Sequence, residues 1–444
     1  MSDHSSSSPD PAEAVNPSLT RRRLLYTGAA GAAALYGASA SRALGAAPEA
    51  LDTAAAGTVT FGSNYSDAVP KKAMAAVLAN FTKKTGIAVK VNTVDHNTFQ
   101  EQINSYLQGK PDDVFTWFAG YRMQFFAQKG LAGQLDDVWK VLTPQMASAF
   151  KGASTGLDGH QYFVPMYNYP WGLFYRKSLF KANGYKVPKT FAQLIALAKK
   201  MQADGLTPIA FADKDGWPAM GTFDILNMRI NGYQYHVDLM AGKKSWNSPQ
   251  VKAVFNTWRQ LLPYNSTGAL GLTWQEAAQQ LLSKQAGMYL LGSFVGEQFT
   301  SAADHADLDF FPYPAVNPKW GQDSIDAPID GFMMSKSPKN PAGAKALLTY
   351  LGSAAAADTF LASSPNNVGA NKGTNKGKYT PLQKKAAVVI AGSKHIAQYL
   401  DRDTRPDFAS TVMIPSLQTF LNNPSDVNGL VASIQKQKVA IFGS

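Results

Sequence analysis

Three runs of residues in this chain have types and spacing that could do chemistry. Thr116-Trp117-Phe118-Ala119-Gly120-Tyr121 directly follows a predicted strand. Pro165-Met166-Tyr167-Asn168-Tyr169-Pro170-Trp171-Gly172 reads as an extended segment whose alternation turns Tyr167, Tyr169 and Trp171 to one side. Trp217-Pro218 is followed closely by Phe223, Asp224 and Asn227. A flat ring stacks on the C–H face of a pyranose, while amides and carboxylates pair with hydroxyls that both donate and accept. A buried hydroxyl left without a partner costs about 1–3 kcal/mol, so such a site needs several polar groups at once. Any one of these rings alone reads more readily as core. Three clusters in loops after strands, beside Gly and Pro, argue for a binding wall. Asn64, Tyr65 and Asp67 after the first strand, and Asp95 and His96 after the second, offer further polar groups.

Bond-breaking chemistry finds little support. The six histidines stand at 4, 96, 160, 236, 305 and 395, with no pair at metal-ligand spacing. Gly292-Ser293-Phe294-Val295-Gly296 has Phe where a nucleophile elbow needs Ser. The loop Gly369 to Lys378 lacks the glycine spacing of a phosphate-binding loop, and no dinucleotide fingerprint follows the first strand. With no cysteine in the chain, disulfides, thiolate metal sites and a cysteine-borne lipid anchor are excluded. No cofactor and no metal is expected. Two acids could still meet in space to cleave a glycosidic bond, though nothing in their spacing points there. The net charge of +11 reads as a lysine-rich solvated surface. Without an arginine-rich helix or an aromatic-basic motif, nucleic acid is not expected as a partner.

The elements that must position these groups alternate. Thr58–Phe61 reads as a strand, 71–84 as a helix with Met74, Val77, Leu78 and Phe81 at helical spacing, and Ala88–Val94 as a strand. A helix over 99–107 and a strand over Asp113–Thr116 follow. Such alternation argues for an α/β sheet covered on both faces, with ligands at the strand ends. Thr190/Gln193 and Thr273/Glu276 have the spacing of capping boxes. Ser248-Pro249, Asn340-Pro341 and Thr380-Pro381 place an N-cap before a first-turn proline. Trp139, Trp246 and Trp258 read as structural. At 444 residues with 45% hydrophobic content, the chain has material for two or three domain-sized units. Its N-terminus carries Thr20-Arg21-Arg22-Arg23-Leu24-Leu25 and then an Ala/Gly-rich apolar run to about Ala40. This resembles a twin-arginine export signal, too short and too rich in small residues to span a bilayer well.

In their order along the chain these features resemble the extracellular solute-binding proteins of family 1, the group that includes maltose-binding proteins. The resemblance rests on Thr85-Gly86-Ile87-Ala88-Val89, on Pro111-Asp112-Asp113-Val114 with Gly130-Leu131, and on Phe174-Tyr175-Arg176-Lys177. It continues through 286–294 and through 329–335 followed by 342–351. It implies an α/β, periplasmic-binding-protein type II-like fold with two lobes joined by a hinge. Its expected pieces are a signal and lead-in (1–47), an N-terminal lobe (57–168) and a C-terminal lobe (169–292). The chain would then return to the first lobe (293–337) and to the second (338–444). The expected function is capture of a neutral sugar for the membrane permease of an ABC importer, by a monomer exported through the twin-arginine machinery. A receptor for a polyamine or organic anion, or a secreted glycosidase, is the alternative. The expected ligand-binding set is Asn64, Tyr65, Asp95, Trp117, Ala119, Gly120, Tyr167, Asn168, Tyr169, Trp171, Trp217, Asp224, Phe294, Asp330, Phe332 and Asn366. Tyr169 occupies what resembles the family's most acidic cleft position, which argues against maltose itself.

Overall fold

The structure, a computed structural model, describes residues 57–443; the expected export signal at 1–47 lies outside them. In chain order the strands are β1 (Thr58–Ser63), β2 (Ala88–Thr93), β3 (Val114–Phe118), β4 (Val164–Asn168), β5 (Trp171–Arg176) and β6 (Thr207–Ala210). They continue as β7 (Ala286–Gly292), β8 (Leu308–Phe311), β9 (Ser324–Asp326), β10 (Ile329–Met334), β11 (Val368–Gly369) and β12 (His395–Ala397). One sheet has the order β11-β4-β10-β3-β1-β2, a second β6-β7-β5-β8, and β12 pairs with β9.

Local chemistry accounts for the elements. The helix Ala68–Thr85 buries Ala73, Met74, Val77, Leu78 and Phe81 on one stripe and stops at Gly86, whose φ of 75° suits glycine. It begins three residues earlier than the periodicity predicts, because Pro70 sits in its first turn, where the missing N–H is no loss. β3 is wholly buried and runs two residues further than expected, ending in Trp117-Phe118. The box at Thr273/Glu276 forms in both directions. At Thr190 only half forms, since the Gln193 side chain accepts instead from the Lys189 N–H at 2.7 Å. Trp139, Trp246 and Trp258 are core. Among the described residues, no helix is long and apolar enough to cross a membrane.

The chain passes between the two large sheets at Tyr169-Pro170, between β9 and β10 at Ala327-Pro328, and in the stretch after β11. Strand pairing corrects two expected boundaries. The segment 293–337 does not return to the first sheet as a unit, because β8 first adds to the edge of β5 in the second. Arg176 draws that segment in by ion pairs to Asp304 at 2.6 Å and Asp307 at 2.7 Å. The segment 338–444 likewise stays on the first sheet longer than expected. Helix Pro341–Leu351 packs on β10, β4 and β1, helix Ala354–Ser363 packs on Ala68–Thr85, and β11 pairs with β4.

Candidate functional site

The crossing segments converge on a cavity of about 100 Å3 between the sheets. Its aromatic wall combines Trp171 and Trp217 with Phe294, Trp274 and Tyr399 on one side and Phe118, Tyr65, Tyr167 and Tyr169 on the other. The rings brace one another. Trp171 lies 4.9 Å from Tyr399 at 30°, and edge-on to Trp217 at 6.4 Å. Phe294 is edge-on to Tyr169 at 5.4 Å and to Trp274 at 5.2 Å.

Polar groups occupy the opposite ends. Arg402 donates to Asp330 at 2.7 Å and to the Tyr169 hydroxyl at 3.1 Å, and its guanidinium lies 4.2 Å from the Phe118 ring centre. Burial pushes the Asp330 carboxyl up and Arg402 opposes it, while Tyr169, Asp330 and Asp401 hold the guanidinium charged. Arg122 donates to Asp401 at 3.0 Å and to Gln100 at 2.6 Å. Burial first, and then the two arginines, lowers His96 to about 4, so its imidazole is neutral at pH 7. Tyr167 and Tyr65 join through their hydroxyls at 3.2 Å, and burial keeps both phenols protonated. Asp67 accepts from Gln275 across the cavity mouth at 3.3 Å. The indole N–H groups of Trp171 and Trp217 are buried without a hydrogen-bond partner, as is the Nε of Arg402, whose nearest acid is Asp401 at 3.9 Å.

Tyr399 carries backbone strain. Its φ of 133° is one that side-chain-bearing residues seldom adopt. It is held by its hydroxyl, which donates to the Trp217 carbonyl at 2.6 Å and accepts from the Gly221 N–H at 3.0 Å. Strain of this kind persists where surrounding contacts over-determine a site.

The cavity thus brings together Asn64, Tyr65, Tyr167, Tyr169, Trp171, Trp217, Phe294 and Asp330 from the expected set. The other eight lie elsewhere. Trp117 is inside the first lobe among Phe99, Phe118 and Phe126. Neighbours on a strand face opposite ways, and Phe118 takes the wall. By the same alternation Asn168 is off the wall that Tyr167 and Tyr169 share. Phe332 is two residues further along β10, covered by Phe61 at 5.9 Å. Asp95 spends its carboxylate capping the helix His96–Gln108, accepting from the Thr98 N–H at 3.0 Å. Ala119 and Gly120 support the site from behind. A Cβ at Gly120, whose φ is 77°, would stand 2.6 Å from the Arg402 carbonyl oxygen. Asn366 accepts through its amide oxygen from the His305 Nε2–H at 3.0 Å, while its neighbour Asn367 lines the cavity.

Asp224 belongs to a buried group behind the site, with Asp326, Asp403 and His236. His236 Nδ1 is 4.0 Å from Asp224 and its Nε2 is 3.9 Å from Asp403. The carboxylates of Asp224 and Asp326 are fully buried and accept no side-chain hydrogen bond among the described residues. Burial, then the neighbouring acids, pushes Asp224 and Asp326 well up and Asp403 to about 6, and burial lowers His236 to about 3. An acid whose folded-state value is raised stabilises the fold fully below its unfolded value and loses that contribution as pH rises through the folded one. His236 acts in the opposite sense, but only below about pH 6.5. Asp326→Asn should therefore melt several degrees above the wild type at pH 8, and the gap should close by pH 4. Equal melting curves at pH 8 would show that the cluster is not under strain.

An interlobe cavity walled by rings and rimmed by hydrogen-bonding groups, at the segments where two α/β lobes are joined, defines a sugar-capturing solute receptor of an ABC importer. The chain matches the bacterial extracellular solute-binding protein family over residues 62–358 and belongs to it. It is 50% identical to the bacterial solute receptor AcbH, described as having an exclusive substrate preference for β-D-galactopyranose. That match covers 87% of this chain and 99% of the other, with a TM-score of 0.85. An uncharacterized ABC transporter extracellular-binding protein of Pyrococcus horikoshii is 26% identical, over 83% of this chain and 81% of its own. A probable sugar-binding periplasmic protein of Rhizobium meliloti is 25% identical over 49% of this chain and 52% of its own.

Proposed function

We propose that the protein captures one neutral hexose, a pyranose of the galactose type, and hands it to the permease without altering it. The observation that carries this is the meeting of a ring wall with hydrogen-bonding groups in one cavity between the sheets. The 50% identity to AcbH over the matched part of the chain supports the galactose configuration. Trp171, Trp217 and Phe294 would take the C–H faces. Arg402, Asp330, Asn64 and the tyrosines would meet the hydroxyls. The lobes would close about the crossing segments, the sugar favouring closure because it touches both sides. In this reading the chain is a monomeric receptor and no enzyme, exported through the twin-arginine signal at 1–47 to the outer face of the membrane. Two of the cavity's carboxylates, Asp330 and Asp401, are each tied to an arginine.

The test is a thermal-shift and calorimetry panel of D-galactose, D-glucose, lactose, mannitol, spermidine and citrate. A ligand at 1,000 times its Kd stabilises by about 4 kcal/mol, worth several degrees in a protein of this size. D-galactose should give that shift and emerge chemically unchanged, with lactose giving little. A shift with spermidine, citrate or lactose alone would overturn the reading.

A further inference from the structure

Glu297 stands on the cavity wall yet has no place among the ion pairs just described. It sits in the turn Ser293–Gln298 and is only 9% exposed. One of its oxygens accepts from the Ser364 hydroxyl at 3.3 Å, and no other hydrogen bond reaches it among the described residues. No lysine or arginine pairs with it there. The cations of the cavity are already committed, Arg402 to Asp330 and Arg122 to Asp401.

The groups facing it are mostly acids or hydroxyls. Asp67, at the start of the helix Ala68–Thr85, and Asp330, on β10, present carboxyls, and Tyr65 and Tyr167 present phenols. Behind it lies a groove that it shares with Lys177, His305, Asp309 and Lys385. Lys385 is paired with Asp309 at 2.7 Å and His305 with Asn366 at 3.0 Å. An ionised third carboxylate here would be a buried, unpaired charge beside two like ones. That is among the most costly arrangements in a protein interior, and the group relieves it by keeping its proton.

We propose that Glu297 meets the sugar as an un-ionised acid, its O–H donating to a ring hydroxyl, and that it is thereby a ligand-contacting donor of the cavity wall. Such a donor differs from Asp330 and Asp401, which accept from Arg402 and Arg122. The same burial and the Asp67 charge push its carboxyl up to about 8. Because the ligand needs the protonated form, affinity holds below that value and falls as pH rises past it. The inference rests on the sugar-capturing reading and deepens it.

The experiment is calorimetric titration of the full mature protein with D-galactose from pH 6 to pH 9.5. For the wild type the Kd should weaken about tenfold between pH 7 and pH 9. Glu297→Gln, which keeps a neutral donor and an acceptor for Ser364, should bind within about threefold of the wild type at pH 7. It should also stay flat to pH 9. Glu297→Ala should be flat as well, but about tenfold weaker throughout. A pH-independent wild type would overturn the proposal, as would a Glu297→Gln variant that loses binding at pH 7 while melting normally. Failure of the wild type to bind D-galactose at pH 7 would instead bring down the functional reading and this inference together.

Discussion

Arg402→Ala is expected to abolish measurable sugar binding, weakening it by at least about 100-fold, and to lower the melting temperature by several degrees. The guanidinium, 8% exposed, is the hub of the polar end of the cavity. It neutralises Asp330 at 2.7 Å, orients the Tyr169 hydroxyl at 3.1 Å, and covers Phe118. Truncating one partner of a buried pair leaves the other charge uncompensated, at about 3–5 kcal/mol. That loss falls on the two crossing segments at once, since Tyr169 follows β4 and Asp330 opens β10. Arg402→Lys should recover part of the stability but little of the affinity, because an ammonium cannot fork to both partners while lying on a ring. Calorimetry with D-galactose and a melting curve measure both effects. Arg402→Ala binding within threefold of the wild type would exclude the guanidinium from ligand contact.

Neither Arg402 nor Tyr399 was legible as a site residue, and the reason is physical. They arrive from the last fifth of the chain, on a short helix and a strained turn that β12 brings against β9. No local pattern encodes which distant strand a three-residue strand will choose. What was legible is the alternation of strands and helices, the capped helix starts, and the Tyr167–Trp171 wall, where period-two spacing and a proline fix direction locally. Parity explains the near misses. Trp117 and Phe118 are equally good sugar platforms by type, and only the register of β3 against β10 decides which one meets the cavity. Asn366 and Asn367 differ in the same way. His96 was noticed beside Asp95, but a carboxylate two residues before free N–H groups belongs to the helix, which leaves the histidine for the cavity. The lobe boundaries slipped because β8 and β11 are too short for their sheet to be read without coordinates.

Trp171→Ala should be the other severe loss, again at least about 100-fold in affinity. Its ring is 2% exposed and touches Trp217, Phe294 and Tyr399, so it is at once wall and brace. Removing it should also cost about 3–5 kcal/mol of stability, as for other buried tryptophans. That double effect makes the alanine variant a poor witness to binding alone. Gly221→Ala separates the two. Gly221 lies on the helix Pro218–Asn231 with the Trp171 six-membered ring against its Cα, inside the space a Cβ would fill. Alanine is the better helix former by about 1 kcal/mol, so intrinsic propensity favours the variant. The added methyl meanwhile must displace the indole, which is already braced by Tyr399 at 4.9 Å. The expected result is D-galactose affinity down about tenfold or more, with an overpacking cost of about 1–3 kcal/mol, smaller than that of removing the ring. If Gly221→Ala binds as well as the wild type, Trp171 has room to retreat and the wall is not the rigid platform that sugar stacking requires.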